Sequence, residues 1–135
     1  MAHPDLIIDT SIIIDHLRKR NKSKSILFHI VDVHALHTPV IVEFELFAGA
    51  IDSEKRRDVR QVLRLCGSLP LTSEIGERAG QIYQELKKAN QLIEIRDLLI
   101  ASTALVHGLP LMTLNTKHFQ RIDDLSLADL PAILL

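Results

Sequence analysis

The segment PDLIIDTSIIIDHLRKR, residues 4–20, decides the fold of this chain. Its first aliphatic run, residues 6–8, is short, continuous and branched, which is typical of a strand buried on both faces. A second apolar run, residues 12–14, belongs to a predicted helix that continues to about Arg20. A buried strand followed at once by a helix is typical of domains with a parallel sheet. The segment therefore predicts the start of an α/β domain.

Between the two aliphatic runs lie one acidic and two hydroxyl side chains, Asp9, Thr10 and Ser11. A carboxylate in such apolar surroundings is costly to bury unless a positive or hydrogen-bonding group meets it. Thr10 or Ser11 can cap the helix, and Asp9 itself can do so, which is the structural alternative to a functional role. The two hydroxyls can equally orient Asp9 or hold a metal-bound water. The place of Asp9, directly after a buried strand, favours a functional carboxylate.

The composition predicts one globular domain with an aliphatic core. The chain has 135 residues, of which 47% are hydrophobic and 4% aromatic, and it shows no repeat or linker, so we expect a single domain over residues 1–135. The net charge of −1 argues against nucleic-acid binding by bulk charge alone. The lone Cys66 fits a reducing compartment. With no evident signal peptide or membrane-spanning run, the sequence predicts a soluble cytoplasmic protein.

Strands and helices alternate along the rest of the chain. The apolar spacing predicts helices over 25–36, 40–50, 53–66, 73–90 and 97–108, and strands within 37–39, 68–72 and 109–114. Gly108 is the predicted C-terminal cap of the helix that precedes the last strand. This alternation predicts a three-layer α/β/α domain with a central, mainly parallel sheet.

Acidic and amide side chains occupy the places where active sites form in such folds, at the carboxyl ends of strands. Asp9 follows the first strand, Asp97 opens an apolar helix, and Asn115 follows the last predicted strand. Glu45 lies within the helix 40–50, where Glu43 cannot share its face because the two are only two residues apart. If these four positions converge, they form a pocket with three carboxylates and one amide.

Three carboxylates in one pocket repel one another unless a cation holds them together. Hard oxygen ligands favour Mg²⁺ or Mn²⁺. Such ions activate water and offset the charge on a phosphodiester during hydrolysis. The pattern therefore favours metal-dependent phosphodiester cleavage.

Four short motifs occur in a fixed order along the chain. They are D-T-S at 9–11, E-L-x-x-G at 45–49, D-x-x-I-A at 97–101 and T-x-N-T-x-x-F at 113–119. Each motif alone is weak, but the ordered set resembles the PIN-domain family, specifically the VapC-type ribonuclease toxins of prokaryotic toxin–antitoxin pairs.

The resemblance implies an Mg²⁺- or Mn²⁺-dependent endoribonuclease with a PIN-like fold. It places metal-binding acids on Asp9, Glu45 and Asp97, with Asn115 completing or positioning the catalytic set. It also implies a homodimer, and a small cognate antitoxin whose segment covers the groove and blocks the metal centre.

The chain departs from this family where a fourth acid is often found. Asn115 and His118 occupy those positions, and an amide adds no charge, so a second metal would be held less tightly. Thr113 and Asn115 can simply shape a turn, and His118 can contact metal or phosphate or be incidental. Two alternatives stay open. One is a PIN-fold binding module without activity, and the other is a phosphatase with Asp9 as nucleophile, against which Ser11 stands where such enzymes usually carry a second acid.

Overall fold

A computed structural model describes residues 3–132 of the chain, and a four-stranded parallel sheet lies at the centre of that part. The strands are β1 (Asp5–Ile8), β2 (Ala35–Pro39), β3 (Gly67–Leu69) and β4 (Leu111–Met112), in the spatial order β3-β2-β1-β4. All three pairings are parallel. The carboxyl ends of β1 and β4 are therefore neighbours at one edge of the sheet.

Helices flank the sheet on both sides. They are α1 (Thr10–Arg18), α2 (Ile26–Ile30), α3 (Val40–Gly49), α4 (Ser53–Leu63), α5 (Ser73–Lys88), α6 (Ile95–His107) and α7 (Thr116–Phe119), and a 3-10 turn at Lys22–Lys24 follows α1. On one side α1 packs against α2, α3 and α4, while α5 packs along α6. The three-layer α/β/α architecture with a parallel sheet is confirmed. Across residues 3–132, none of the helices combines the length and apolar character that crossing a membrane requires.

The core is aliphatic, as the composition predicts. The three residues of β1 that precede Asp9 are at most 1% exposed, and Ile12 and Ile13 of α1 are fully buried. Burying each such side chain contributes about 1.5–3 kcal/mol relative to leaving it exposed. Asp9 therefore directly follows the buried residues of β1, which hold its backbone in place.

The predicted helix over 25–36 is wrong in its second half. The helix α2 ends at Ile30, the chain turns, and Ala35 and Leu36 instead enter β2. Ala35 lies opposite Asp5, and Leu36 opposite Leu6, in the parallel ladder with β1. The pairing with a central strand outweighs the helical spacing, because strand formation depends on the neighbouring strand more than on local preference.

Two predicted strands are shorter in the structure, and one helix begins earlier. The strand predicted within 68–72 spans only Gly67–Leu69, and that within 109–114 only Leu111–Met112. Each is bordered by a proline, Pro70 or Pro110, which has no N–H to donate to a ladder. The helix α6 begins at Ile95, and Gly108 caps its C-terminus in the left-handed conformation, with φ of 64°, as predicted.

Candidate functional site

Asp9 lies at the carboxyl end of β1 and is 3% exposed. Its Oδ1 accepts hydrogen bonds from the Ser11 backbone N–H at 3.0 Å and from Ser11 Oγ at 2.5 Å. Its Oδ2 accepts one from Thr113 Oγ1 at 2.5 Å. Asp9 is therefore the N-cap of α1. The expectation that Thr10 or Ser11 caps this helix is wrong, because both already belong to its first turn.

The two hydroxyls that hold Asp9 are themselves held by the backbone that follows β4. Ser11 Oγ accepts a hydrogen bond from the Leu114 N–H at 3.0 Å, and Thr113 Oγ1 accepts one from the Asn115 N–H at 2.9 Å. Each hydroxyl thus accepts from the backbone and donates its proton to Asp9. The network joins the ends of β1 and β4 and fixes the direction of the Asp9 carboxylate.

Glu45 reaches the same region from α3. Thr10 Oγ1, next to Asp9, donates to Glu45 Oε1 at 2.9 Å, and Arg96 Nη1 lies 3.6 Å from Glu45 Oε2. Glu43 points elsewhere, because its Oε2 accepts a hydrogen bond at 2.5 Å from the Oγ of Ser68, a residue of β3. The two glutamates therefore diverge, as their spacing on the helix predicts.

Asp97 lies in the first turn of α6 and is the third acid of this region. We call Asp9, Glu45 and Asp97 together the acidic edge. Its Oδ2 lies 3.7 Å from His118 Nδ1 of α7. Burial, and then the negative charge of Glu45, raise the pKa of the Asp97 carboxyl above its ordinary value. Burial likewise raises the pKa of Asp9, against the opposing effect of its hydrogen bonds. Both carboxylates thus lie where an added positive charge would be stabilising.

Asn115 and His118 stand at the outer rim of this edge and are exposed. Asn115 precedes α7, and its side chain does not cap that helix. Arg96 lies here as well, and no motif in the sequence predicts it. Its place directly before Asp97 is the signal that points to it.

The structure brings the three predicted acids to one edge without closing them into a single ligand set. Asp9 and Glu45 are joined through consecutive residues at the start of α1, and Glu45 and Asp97 interact through their charges. Among residues 3–132, no three carboxylate, imidazole or thiol side chains converge on one point suited to a metal ion. Arg96 and His118 instead lie against the outer two carboxylates.

A groove of about 450 Å³ between α1, α3 and α4 adjoins Glu45. Its floor is apolar, formed by Ile14, Leu17, Leu46 and Val59, and charged side chains line its borders. Gly49 opens onto it as well, and a Cβ built at Gly49 would meet no atom within 4 Å. The groove can therefore accept apolar side chains from outside the chain.

Comparison with known proteins identifies the family to which the chain belongs. Residues 6–125 match the family model of the PIN domain, and the chain belongs to this family. It is 32% identical over 131 residues to Ribonuclease VapC of Rickettsia bellii, covering 93% of this chain and 96% of that protein. It is 31% identical over 123 residues to Ribonuclease VapC1 of Methanocaldococcus jannaschii, covering 90% and 84%.

Solved structures share the fold over nearly the whole chain. VapBC-1 from nontypeable Haemophilus influenzae matches with a TM-score of 0.79 and 31% identity, covering 92% of this chain and 96% of that one. A toxin–antitoxin complex from Klebsiella pneumoniae matches with a TM-score of 0.72 and 25% identity, covering 90% and 95%. VapBC2 from Rickettsia felis, bound to a DNA fragment from its promoter, has a TM-score of 0.82 over 93% and 98% of the two chains, and at 24% identity this likeness concerns the fold alone.

Proposed function

We propose that this protein is a metal-dependent endoribonuclease and the toxin of a toxin–antitoxin pair. The observation that carries the proposal is the row of three acids, Asp9, Glu45 and Asp97, along the carboxyl edge of the sheet in a PIN-domain chain. Relatives that match almost its full length are named Ribonuclease VapC. Such an enzyme would meet its RNA in the cytoplasm, and fractionation of expressing cells tests that location.

The donor set fits Mg²⁺ or Mn²⁺. The three side chains offer hard carboxylate oxygens. Asp9 Oδ1 already accepts two hydrogen bonds, whereas Asp9 Oδ2 accepts one from Thr113 and retains a lone pair for a cation. The repulsion between Glu45 and Asp97 is the kind that a divalent cation relieves. Asp9, Glu45 and Asp97 would hold the ion, which when bound supplies an activated water and offsets charge on the phosphodiester.

The remaining residues of the site position these acids and the RNA. Ser11 and Thr113 hold Asp9 in one orientation, and Thr10 directs Glu45 toward it. Asn115 and His118 are exposed beside the three acids, where an amide and an imidazole can donate hydrogen bonds to a phosphate. The site would thus have one fixed carboxylate, Asp9, at its centre and two exposed polar side chains, Asn115 and His118, on the side that RNA would approach.

Cleavage of RNA in Mn²⁺ tests the proposal directly. Asp9→Asn, Glu45→Gln and Asp97→Asn should each lower the rate by about 100-fold or more, since each removes a charged ligand. Asp5→Asn is the matched control, because Asp5 lies at the opposite end of β1 and pairs with His37. Absence of cleavage by the wild type at millimolar Mn²⁺, or equal rates in all variants, would favour a binding module without activity.

The antitoxin would place apolar side chains in the groove beside Glu45. Of the three acids, Glu45 lines this groove, so an occupant would lie directly beside the acidic edge. Gly49→Phe should fill the groove and weaken capture of a protein encoded by an adjacent gene, without disturbing the fold. Gly76→Phe is the control, since a Cβ there also meets no atom within 4 Å but lies on α5. Equal capture by both variants would argue against this groove.

The homodimer would use the outer face of α3. Val40, Phe44 and Phe47 recur at helical spacing and are exposed, Phe44 by 58%, and Ile51, which is 77% exposed, lies two residues beyond the end of the helix. An apolar stripe of this size favours association with a second copy through a two-fold contact. Light scattering should show Phe44→Glu shifted to monomer, while Phe28→Glu, exposed on α2, leaves the assembly unchanged. A wild-type monomer would contradict the dimer.

A further inference from the structure

Arg96 places a guanidinium group beside the carboxylates of the candidate site. Its Nη1 lies 3.6 Å from Glu45 Oε2, and its Nη2 donates to Glu94 Oε2 at 3.2 Å. The Arg96 side chain is 53% exposed, so ion pairs rather than packing hold it in place. A positive charge of the chain itself therefore occupies part of the acidic edge.

The contact between Arg96 and Glu45 is weak enough that Glu45 can exchange Arg96 for another partner. At 3.6 Å it lacks the short paired hydrogen bonds of a strong arginine–carboxylate contact, and exposed ion pairs stabilise little. The other Glu45 oxygen, Oε1, is held by Thr10. Glu45 thus stays oriented toward the site while its Oε2 can change partner.

We propose that Arg96 competes with the divalent cation for Glu45 and so lowers the affinity of the site for metal. The inference rests on the proposed metal site. An ion that takes Glu45 Oε2 displaces the guanidinium, which then keeps only its contact with Glu94, and before displacement the charge of Arg96 repels the ion. Loss of this charge should therefore tighten metal binding, whereas an arginine that merely supports the site would weaken binding when removed.

Titration of metal-free protein with Mn²⁺ alone tests the inference, with free Mn²⁺ followed by electron paramagnetic resonance and no RNA present. In about 0.1 M salt, Arg96→Gln should bind Mn²⁺ roughly five- to tenfold more tightly than the wild type, because it removes a unit charge a few ångströms from the ion. Arg96→Lys retains the charge and should stay within about twofold of the wild type. Arg78→Gln should leave the affinity unchanged, because Arg78 pairs with Asp124 in a cavity that none of the three acids lines.

Two results would overturn the inference alone while leaving the metal site in place. One is Mn²⁺ binding by Arg96→Gln that is equal to or weaker than that of the wild type. The other is an equal gain in Arg96→Lys and Arg96→Gln, which would exclude the charge as the cause. Absence of Mn²⁺ binding in the wild type and every variant would overturn both the metal site and the inference. Circular dichroism of each variant verifies that the fold is retained.

Discussion

Two parts of the acidic edge carry similar chemistry but are held in opposite ways. We define the Asp9 corner as Asp9, Ser11 and Thr113, and the acid rim as Glu45, Arg96, Asp97 and His118. In the corner, hydrogen bonds of 2.5–3.0 Å hold a carboxylate that is almost fully buried. At the acid rim, Arg96 lies 3.6 Å from Glu45 and His118 lies 3.7 Å from Asp97, and all four side chains remain partly exposed.

The difference indicates that the Asp9 corner is fixed and that the acid rim can adjust. A buried carboxylate without its donors is costly, so the Asp9 corner must keep its geometry. Breaking an exposed ion pair costs little free energy, because water solvates the separated charges. The rim can therefore rearrange around a ligand while the corner stays in place. Three variants test this contrast, in order of decreasing effect.

Thr113→Val should have the largest effect, because it leaves Asp9 Oδ2 without its hydroxyl donor inside the protein. We expect the free energy of unfolding to fall by about 2–3 kcal/mol, measured by urea denaturation. Thr103→Val is the matched control. Thr103 is equally buried, but its Oγ1 donates at 2.8 Å to the Leu99 carbonyl within α6, which the helix already pairs, so the loss should be under about 1 kcal/mol. Equal losses would contradict a special role for the corner.

Asp97→Asn should raise the melting temperature of the metal-free protein at pH 7. Because burial and Glu45 raise the pKa of Asp97, the folded protein binds this proton more readily than the unfolded chain. The ionised carboxyl therefore lowers stability at neutral pH, and this penalty disappears as the pH falls through the raised pKa.

The gain in Asp97→Asn should accordingly vanish near about pH 3, where the carboxyl is protonated in both states. Differential scanning calorimetry over this pH range measures it. Asp5→Asn, at the exposed start of β1, should give no such gain. A lower melting temperature for Asp97→Asn at pH 7 would show that the rim stabilises the fold rather than straining it.

Glu94→Gln should have the smallest effect. Glu94 is 70% exposed and contacts Arg96 at 3.2 Å, so its loss should change the free energy of unfolding by less than about 0.5 kcal/mol. Urea denaturation at low and high salt measures the change. A loss above about 1 kcal/mol would mean that the contact between Glu94 and Arg96 is held as firmly as the Asp9 corner.

The sequence predicts the layers of the fold well where periodicity is strong. In α5 the spacing predicts one buried stripe of five residues, Ile75, Ala79, Ile82, Tyr83 and Leu86. Four of them are buried, and the prediction is wrong for Tyr83, which is 37% exposed. The prediction of a helix over 25–36 is wrong in its second half, because residues 35–36 belong to β2. Local spacing cannot report the strand that lies beside a segment.

For the candidate site, the order of the acids along the chain predicts which carboxylates meet at the edge. It does not predict what holds them. The sequence indicates Ser11 and Thr113 only as supporting residues, yet they donate to Asp9 directly, and it gives no role to Arg96, which lies against Glu45. The metal-binding and catalytic roles of these residues stay predictions until the cleavage and Mn²⁺ experiments are done.

The sequence by itself determined the alternation of strands and helices and the acid that follows the first strand, because apolar runs, caps and breaks act over a few residues. Only the tertiary structure decided that Thr113 donates to Asp9, a residue 104 positions away, and that Arg96 lies against Glu45. Contacts between distant residues depend on the strand order β3-β2-β1-β4, which sets the end of β1 beside that of β4. No local pattern carries that order.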